Sequence, residues 1–187
     1  MRPAFVIVGL GNPGASYEQT RHNAGFRAAD LLEKRFGEGK WRGHQKFLAL
    51  SCEARIGAVE VLLLKPQTFM NRSGESVRKV MDFYKLTPAQ QILVLCDDVD
   101  LPLGELRLRK MGGPGTHNGL KSIVEAIGEA FARIRIGLGT QPAGADLAAW
   151  VLSVPSKEEM QAVNVALEKI PEMVEGFVKH AATSRRA

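Results

Sequence analysis

Cysteine is scarce in this chain, long apolar runs are missing, and no segment has a biased composition. Two cysteines among 187 residues are too few for the disulfide framework of a small secreted scaffold. Cys52 and Cys96 both sit in apolar, strand-like runs, 47–52 and 92–96. They are expected as buried free thiols in a reducing compartment, and they form neither a metal site nor a nucleophile motif. No apolar run approaches the ~20 residues of a membrane span. Met1-Arg2-Pro3 leads into a short strand rather than a secretory leader. The expectation is a cytoplasmic protein with no membrane partner. There is no internal repeat, linker or low-complexity stretch, and the length suits one domain, since compact domains run to roughly 100–200 residues.

What the chain does have is enough apolar residue for a core, 45%, and nineteen glycines for tight turns. Its 25 basic and 20 acidic residues leave a net charge of +5. Such an excess permits a polyanionic partner such as nucleic acid without requiring one. Residues 4–10 and 92–96 read as buried strands, 133–139 as a strand with two basic side chains on one face, 47–56 and 59–64 as a hairpin about Gly57-Ala58, and 105–110 as a half-exposed strand. Helical spacing places Phe26, Ala29, Leu32 and Phe36 on one face, stopped by Gly37-Glu-Gly39. It does the same for Val77, Val80, Met81 and Tyr84, with Asn71 or Ser73 as cap, and for Leu120, Ile123, Val124 and Ile127. Residues 151–152 close a short segment. A stripe of Met160, Val163, Leu167, Ile170, Val174 and Phe177 should be kinked or interrupted at Pro171. Arg185-Arg186 is expected to fray.

Strands alternate with helices, and one hairpin is inserted. The pattern predicts an α/β fold, a single domain over 1–187 with a mixed, mostly parallel central sheet and helices on both faces. In such folds ligands gather outside the carboxyl ends of strands. Polar turns follow the strands there: Gly9-Leu-Gly11-Asn12-Pro13-Gly14 running on to Tyr17 and Thr20-Arg-His22-Asn23, then Lys65-Pro66-Gln-Thr-Phe69-Met70-Asn71, then Asp97-Asp98. A fourth turn, Gly112-Gly-Pro-Gly115-Thr116-His117-Asn118-Gly119, follows the strand ending at Lys110.

Each turn admits more than one chemistry. Gly9-Leu-Gly11-Asn-Pro-Gly14 fits the dinucleotide fingerprint, but about eight polar residues separate it from the helix. Asp30 and Glu33, at the distance of the fingerprint's ribose-binding acid, lie within a predicted helix rather than closing a second strand. His22 can take a proton from water, with Asp97 fixing its tautomer, or it can simply cap a helix. Asp97, Asp98 and Asp100 offer three carboxylates to a divalent ion, or serve a turn. Asn12, Asn71 and Asn118 each supply a donor and an acceptor for an ester, a ribose or a peptide. Tyr17, Phe69 and Met70 offer flat or apolar contacts. Arg107, Arg109, Lys110, Arg133 and Arg135 could grip a terminal phosphate or an RNA backbone. One base, one orienting acid and three amides at element ends describe a hydrolytic site built on loops.

These blocks, with Ser73-Gly74, Asp97-Asp-Val-Asp-Leu-Pro-Leu-Gly104 and Arg133-Ile-Arg-Ile-Gly137, run in one order over nearly the whole chain and resemble the bacterial peptidyl-tRNA hydrolases. The resemblance implies a single α/β domain that hydrolyses the ester between a peptide and the tRNA 3′ ribose, with no cofactor and no metal. It implies His22 as general base, Asp97 as its orienter and Asn12 as the group that tells N-blocked from free aminoacyl-tRNA. Tyr17, Phe69, Asn71 and Asn118 would line the site for the acyl group and the tRNA 3′ end. Arg109 and Arg135 would clamp the 5′ phosphate. The implied partner is peptidyl-tRNA, through its 3′ end and acceptor stem, and the expected state is a monomer. A non-catalytic RNA-binding homologue is the alternative. The family has Gly-Gly before His-Asn where this chain has Gly115-Thr116, and a Cβ there restricts the loop's backbone choices.

Overall fold

In the computed structural model, which describes residues 2–184, the apolar runs form β1 (Phe5–Gly9), β3 (Ala49–Ile56), β4 (Val59–Pro66), β5 (Ile92–Asp98), β6 (Leu106–Arg109) and β7 (Ala132–Gly137), with a short β2 (Arg42–His44) besides. They make one seven-stranded sheet in the order β2-β3-β4-β1-β5-β7-β6. β4, β1, β5 and β7 are parallel, whereas β3 and β6 run against their neighbours. β1 and β5 are buried at every position. Covered on both faces, they read as continuous apolar runs instead of alternating ones. β3 and β4 turn through Gly57-Ala58, with Ile56 paired to Val59 and Gly57 at φ 60°, a conformation that favours glycine. The mixed, mostly parallel sheet expected from the sequence is the one observed.

The helices are α1 (Ala24–Phe36), α2 (Ser73–Tyr84), α3 (Pro88–Gln91), α4 (Asn118–Ile127), α5 (Leu147–Val151), α6 (Lys157–Leu167) and α7 (Ile170–Ser184). Ala24, Ala28 and Leu32 of α1 pack with Val163 and Leu167 of α6 and Ile170, Val174 and Val178 of α7 over one face of the sheet. Val77, Val80 and Met81 of α2 pack with Leu120 and Ile123 of α4 over the other. Through α1 and the hairpin the chain moves from β1 to β4 on one side. Through α2 it returns across β1 to β5 on the other. Right-handed crossovers in opposite directions put their helices on opposite faces, so the order reverses between β1 and β5, where such sheets bind ligands.

The stripe from Met160 to Phe177 is interrupted, as expected, but at Glu168 and Lys169 instead of at Pro171, which leaves two helices. Pro171 is the second residue of α7, where its missing N–H would have had no partner in any case. Neither Asn71 nor Ser73 caps α2: the Ser73 hydroxyl donates to the Met70 carbonyl, 2.9 Å, within a 3₁₀ turn. The segment at 151–152 is the end of α5. The expected fraying of Arg185-Arg186 lies outside the described residues. Among the described residues no helix is long and apolar enough to cross a membrane. Cys52 and Cys96 are buried and unpaired, as expected.

Glycine is required where α1 enters the sheet. The Phe26 N–H bonds the Leu10 carbonyl at 3.0 Å, and the Leu10 N–H bonds the Leu95 carbonyl at 2.9 Å. A Cβ on Gly25 would lie 2.3 Å from the Leu95 oxygen and 2.6 Å from the Leu10 nitrogen. Both obstacles are backbone and cannot rotate away. Gly25→Ala is expected to cost at least 1–3 kcal/mol, roughly the range for overpacking, and to lower Tm by about 5–10 °C for a chain of this size. Thermal unfolding followed by circular dichroism checks this; an unchanged Tm would show that α1 can move off the sheet freely.

Candidate active site

At the end of β1 the chain makes two 3₁₀ turns, Ala15–Tyr17 and Arg21–Asn23, before α1 begins. The second turn carries His22 and is fastened from outside. Arg21 donates to the Ser153 hydroxyl and to Glu159, each at 2.6 Å, and its guanidinium sits 4.8 Å from the centre of the Trp150 ring. Its backbone N–H also bonds the Ser153 carbonyl, 3.1 Å. Glu159 belongs to a capping box with Ser156 at the start of α6. The turn bearing His22 is thus tied to α5 and α6, a link between residues 138 positions apart.

His22 and Asp97 meet across the gap between β1 and β5. The Nδ1 atom of His22 lies 2.9 Å from each carboxylate oxygen of Asp97. The two residues are only 7% and 3% exposed, so water does little to weaken the contact. Burial lowers the pKa of the His22 imidazole, but the charge of Asp97 and its hydrogen bond outweigh burial, and the net shift is upward from 6.5. Burial likewise disfavours the Asp97 anion, but the facing imidazoles prevail and hold its carboxyl far below the usual carboxylate range.

Asn12 is placed by the neighbouring turns. Its backbone N–H donates to the Asn23 side-chain oxygen at 2.8 Å, and the Asn23 amide donates to the Asn12 carbonyl at 2.9 Å. The Asn12 side-chain oxygen accepts the Met70 N–H, 2.8 Å. That bond fixes the amide's orientation and leaves its NH₂ to donate elsewhere. Phe69 precedes Met70 with φ 61° and ψ 161°, a region that costs a non-glycine residue roughly 1–3 kcal/mol. The turn that pays this cost holds the Phe69 ring 50% exposed, edge-on to Tyr17 with centroids 6.3 Å apart. A Cβ on Gly119 would come within 2.5 Å of the Met70 sulfur, so the turn with Asn71 lies beside the turn with Asn118. Both of those asparagines are exposed.

Sequence reasoning assigned no role to His117, which the fold places on Asp97: its Nε2 lies 3.0 Å from Oδ1, and the two imidazole centroids are 4.8 Å apart. The residue had been visible inside a motif turn, but it is 20 positions from Asp97 in the chain, a separation only the fold closes. Beside these residues lies a cavity of about 270 Å³, walled by His22, Asp97, His117, Asn118, Arg135 and the residues of α5.

The basic positions divide. Arg107, Arg109, Arg133 and Arg135 share one face, since Arg107 pairs with Arg135 and Arg109 with Arg133 in register. Arg133 is buried and donates to the carbonyls of Gly113, Glu129 and Phe131 at 3.1–3.4 Å; it anchors the glycine loop and has no reach to an external phosphate. Arg107 is paired with Glu105 and Arg135 with Asp98. Arg109 is exposed on the edge strand and, unlike Arg135, does not wall the cavity beside His22. Positive φ in the glycine loop falls at Gly112 and Gly115, and Thr116 is not among the positive-φ residues. The observed loop conformation therefore puts no left-handed strain on Thr116.

Asp97 and Asp98 leave the strand on opposite faces. Asp98 is engaged with Arg135 and with the Asp100 N–H, 2.8 Å, so the three aspartates do not converge on an ion. Among the described residues the cluster of metal-capable side chains is His22, Asp97 and His117, whose donor atoms lie within 4.8 Å of one another. Both imidazoles point a ring nitrogen at the carboxylate, and an ion there would have to displace the protons that now bridge them. The glycine fingerprint leads into a 3₁₀ turn and not a helix N-terminus, so the dinucleotide geometry is not formed.

A profile of the peptidyl-tRNA hydrolase family matches residues 6–186. The peptidyl-tRNA hydrolase of Alkaliphilus oremlandii is 49% identical over 176 residues, covering 93% of this chain and 92% of the relative. That of Alkaliphilus metalliredigens is 47% identical over 175 residues, with 93% and 92% covered. The crystal structure of peptidyl-tRNA hydrolase from Acinetobacter baumannii superposes with a TM-score of 0.85 at 39% identity, covering 97% of this chain and 93% of that one. Matched along almost its whole length in sequence and in fold, the chain belongs to the peptidyl-tRNA hydrolase family.

Proposed function

We propose that the protein hydrolyses the ester joining a peptide, or an N-blocked amino acid, to the tRNA 3′ ribose, and so recycles tRNA released prematurely from ribosomes. The observation that carries the mechanism is the buried His22–Asp97 pair at the switch point of the sheet. With its Nδ1 proton held by Asp97, His22 offers Nε2 as a base. Nε2 takes a proton from water, the oxygen attacks the ester carbonyl, the bond to the ribose oxygen breaks, and the 3′ hydroxyl leaves with a proton. An ester carbonyl is reactive enough that the route needs neither a covalent intermediate nor a metal.

The amides have complementary roles. Because the side-chain oxygen of Asn12 is occupied by Met70, Asn12 presents a donor. A donor suits the carbonyl of a blocking acyl group, which a free aminoacyl ester lacks. Asn71 and Asn118 position the peptide and help to hold the developing negative charge. Tyr17 and Phe69 form the apolar wall for the acyl group or the 3′ end. Arg109 and Arg135, on one sheet face, contact the terminal phosphate of the tRNA, with Arg135 shared by Asp98. The enzyme acts as a monomer in the cytoplasm.

The direct test compares release of the N-acetyl amino acid from N-acetyl-aminoacyl-tRNA with deacylation of free aminoacyl-tRNA, in EDTA. The wild type is expected to cleave only the blocked substrate, and His22→Ala to lose roughly 10²–10⁴-fold in turnover, the usual worth of general-base assistance. Binding of tRNA without release would assign the chain to a non-catalytic RNA-binding role. The pKa shift adds a pH signature. A base works unprotonated, so kcat/KM should fall on the acid side with a midpoint above 6.5, the direction in which Asp97 moves His22. In Asp97→Asn the carboxylate is gone while burial, which lowers the pKa, remains. The midpoint should then drop and turnover should fall; an unmoved midpoint would remove Asp97 as the partner of the base.

A further inference from the structure

We propose that His117 is a positioning residue that locks the Asp97 carboxylate, and through it the tautomer and orientation of His22, to the N-terminus of α4. The inference rests on the hydrolytic function proposed above and adds to it a residue that touches neither water nor ester in that scheme.

The hydrogen bonds on its two ring nitrogens settle where the His117 proton sits. His117 is the N-cap of α4, and its Nδ1 accepts the N–H groups of Gly119 at 3.1 Å and Leu120 at 3.2 Å. Two donors converging on one nitrogen require a lone pair there, so Nδ1 carries no hydrogen. The ring proton is therefore on Nε2, which lies 3.0 Å from Asp97 Oδ1, and Nε2–H donates to the carboxylate. His22 meets the same carboxylate through Nδ1. Asp97 is left to accept from both imidazoles, and the two rings are held in opposite tautomers.

The consequence is mechanical. A carboxylate held by one imidazole can swing about its Cβ–Cγ bond. Held from two sides, it cannot turn without breaking a hydrogen bond to a carboxylate that is almost wholly buried. The backbone of α4 stands behind the second bond, and Asn118, a substrate amide in the proposed mechanism, is the first residue of that helix. His117 thus sets the base and the substrate amide in one register. Gly119 keeps the arrangement close: a Cβ there would come within 3.0 Å of His117 Cε1 as well as striking Met70.

Two substitutions separate capping from positioning. The Asn side-chain oxygen occupies the place of Nδ1, and Asn is a preferred N-cap, but its side chain ends one bond short of Nε2. The Gln amide nitrogen occupies the place of Nε2, while Gln is not a preferred cap. His117→Asn therefore keeps the helix cap and loses the bond to Asp97; His117→Gln restores a donor to Asp97. If His117 positions the carboxylate, kcat for the N-acetyl substrate falls about tenfold in His117→Asn, the equivalent of one lost hydrogen bond to a charged group. It recovers to within about threefold of wild type in His117→Gln, while Tm ranks the variants in the opposite order. If His117 only caps the helix, His117→Asn keeps wild-type kcat and His117→Gln is the poorer enzyme, and the inference is overturned. His22→Ala, assayed alongside, separates the two levels. A fully active His22→Ala overturns the hydrolytic mechanism and the role of His117 with it. An inactive His22→Ala beside a wild-type His117→Asn overturns the role of His117 alone.

Discussion

A carboxylate taken out of water needs hydrogen-bond donors to remain an anion. Asp97 is almost wholly buried and finds its donors in two histidines, one from each flanking turn. The rest of the site follows from that demand. His22 comes from the turn after β1, Asp97 from the end of β5, and His117 from the cap of α4, so the contact can form only when the central strands are paired and helices cover both faces. The carboxylate in turn makes His22 a stronger base than burial alone would leave it.

Strain and tight packing gather around this centre. Phe69 adopts a backbone conformation that most residues avoid, and Asn12 holds the turn by accepting the Met70 N–H. Gly25 and Gly119 let backbone and sulfur approach where any side chain would collide. Arg21 binds the histidine turn to α5 and α6, and Arg133 binds the glycine loop to the sheet. Two arginines that look like surface charge in sequence are thus structural braces on either side of the cleft.

The central strands and the two helix faces were legible because burial on both sides writes unbroken apolar runs, and burial on one side writes helical spacing. The contact of His22 with Asp97 was legible because both residues close local motifs after strands. β2 was not, being a three-residue, solvent-facing edge with no apolar signal. The cap of α2 was misplaced because Ser73, a good capping residue, spends its hydroxyl inside the preceding 3₁₀ turn. His117 escaped notice because histidine is not a preferred cap and because its partner is distant in sequence. Arg133 was grouped with external cations because alternation along a strand does not say that a loop will cover it.

The proposed site depends on the opposite tautomers of two histidines that share one carboxylate. Long-range ¹H–¹⁵N NMR of the imidazole rings reads them directly at a pH where both are neutral. The predicted result is a protonated Nδ1 with a bare Nε2 for His22, and a bare Nδ1 with a protonated Nε2 for His117. A proton on Nε2 of His22, or on Nδ1 of His117, would contradict the arrangement and remove the base from the mechanism or the brace from the base.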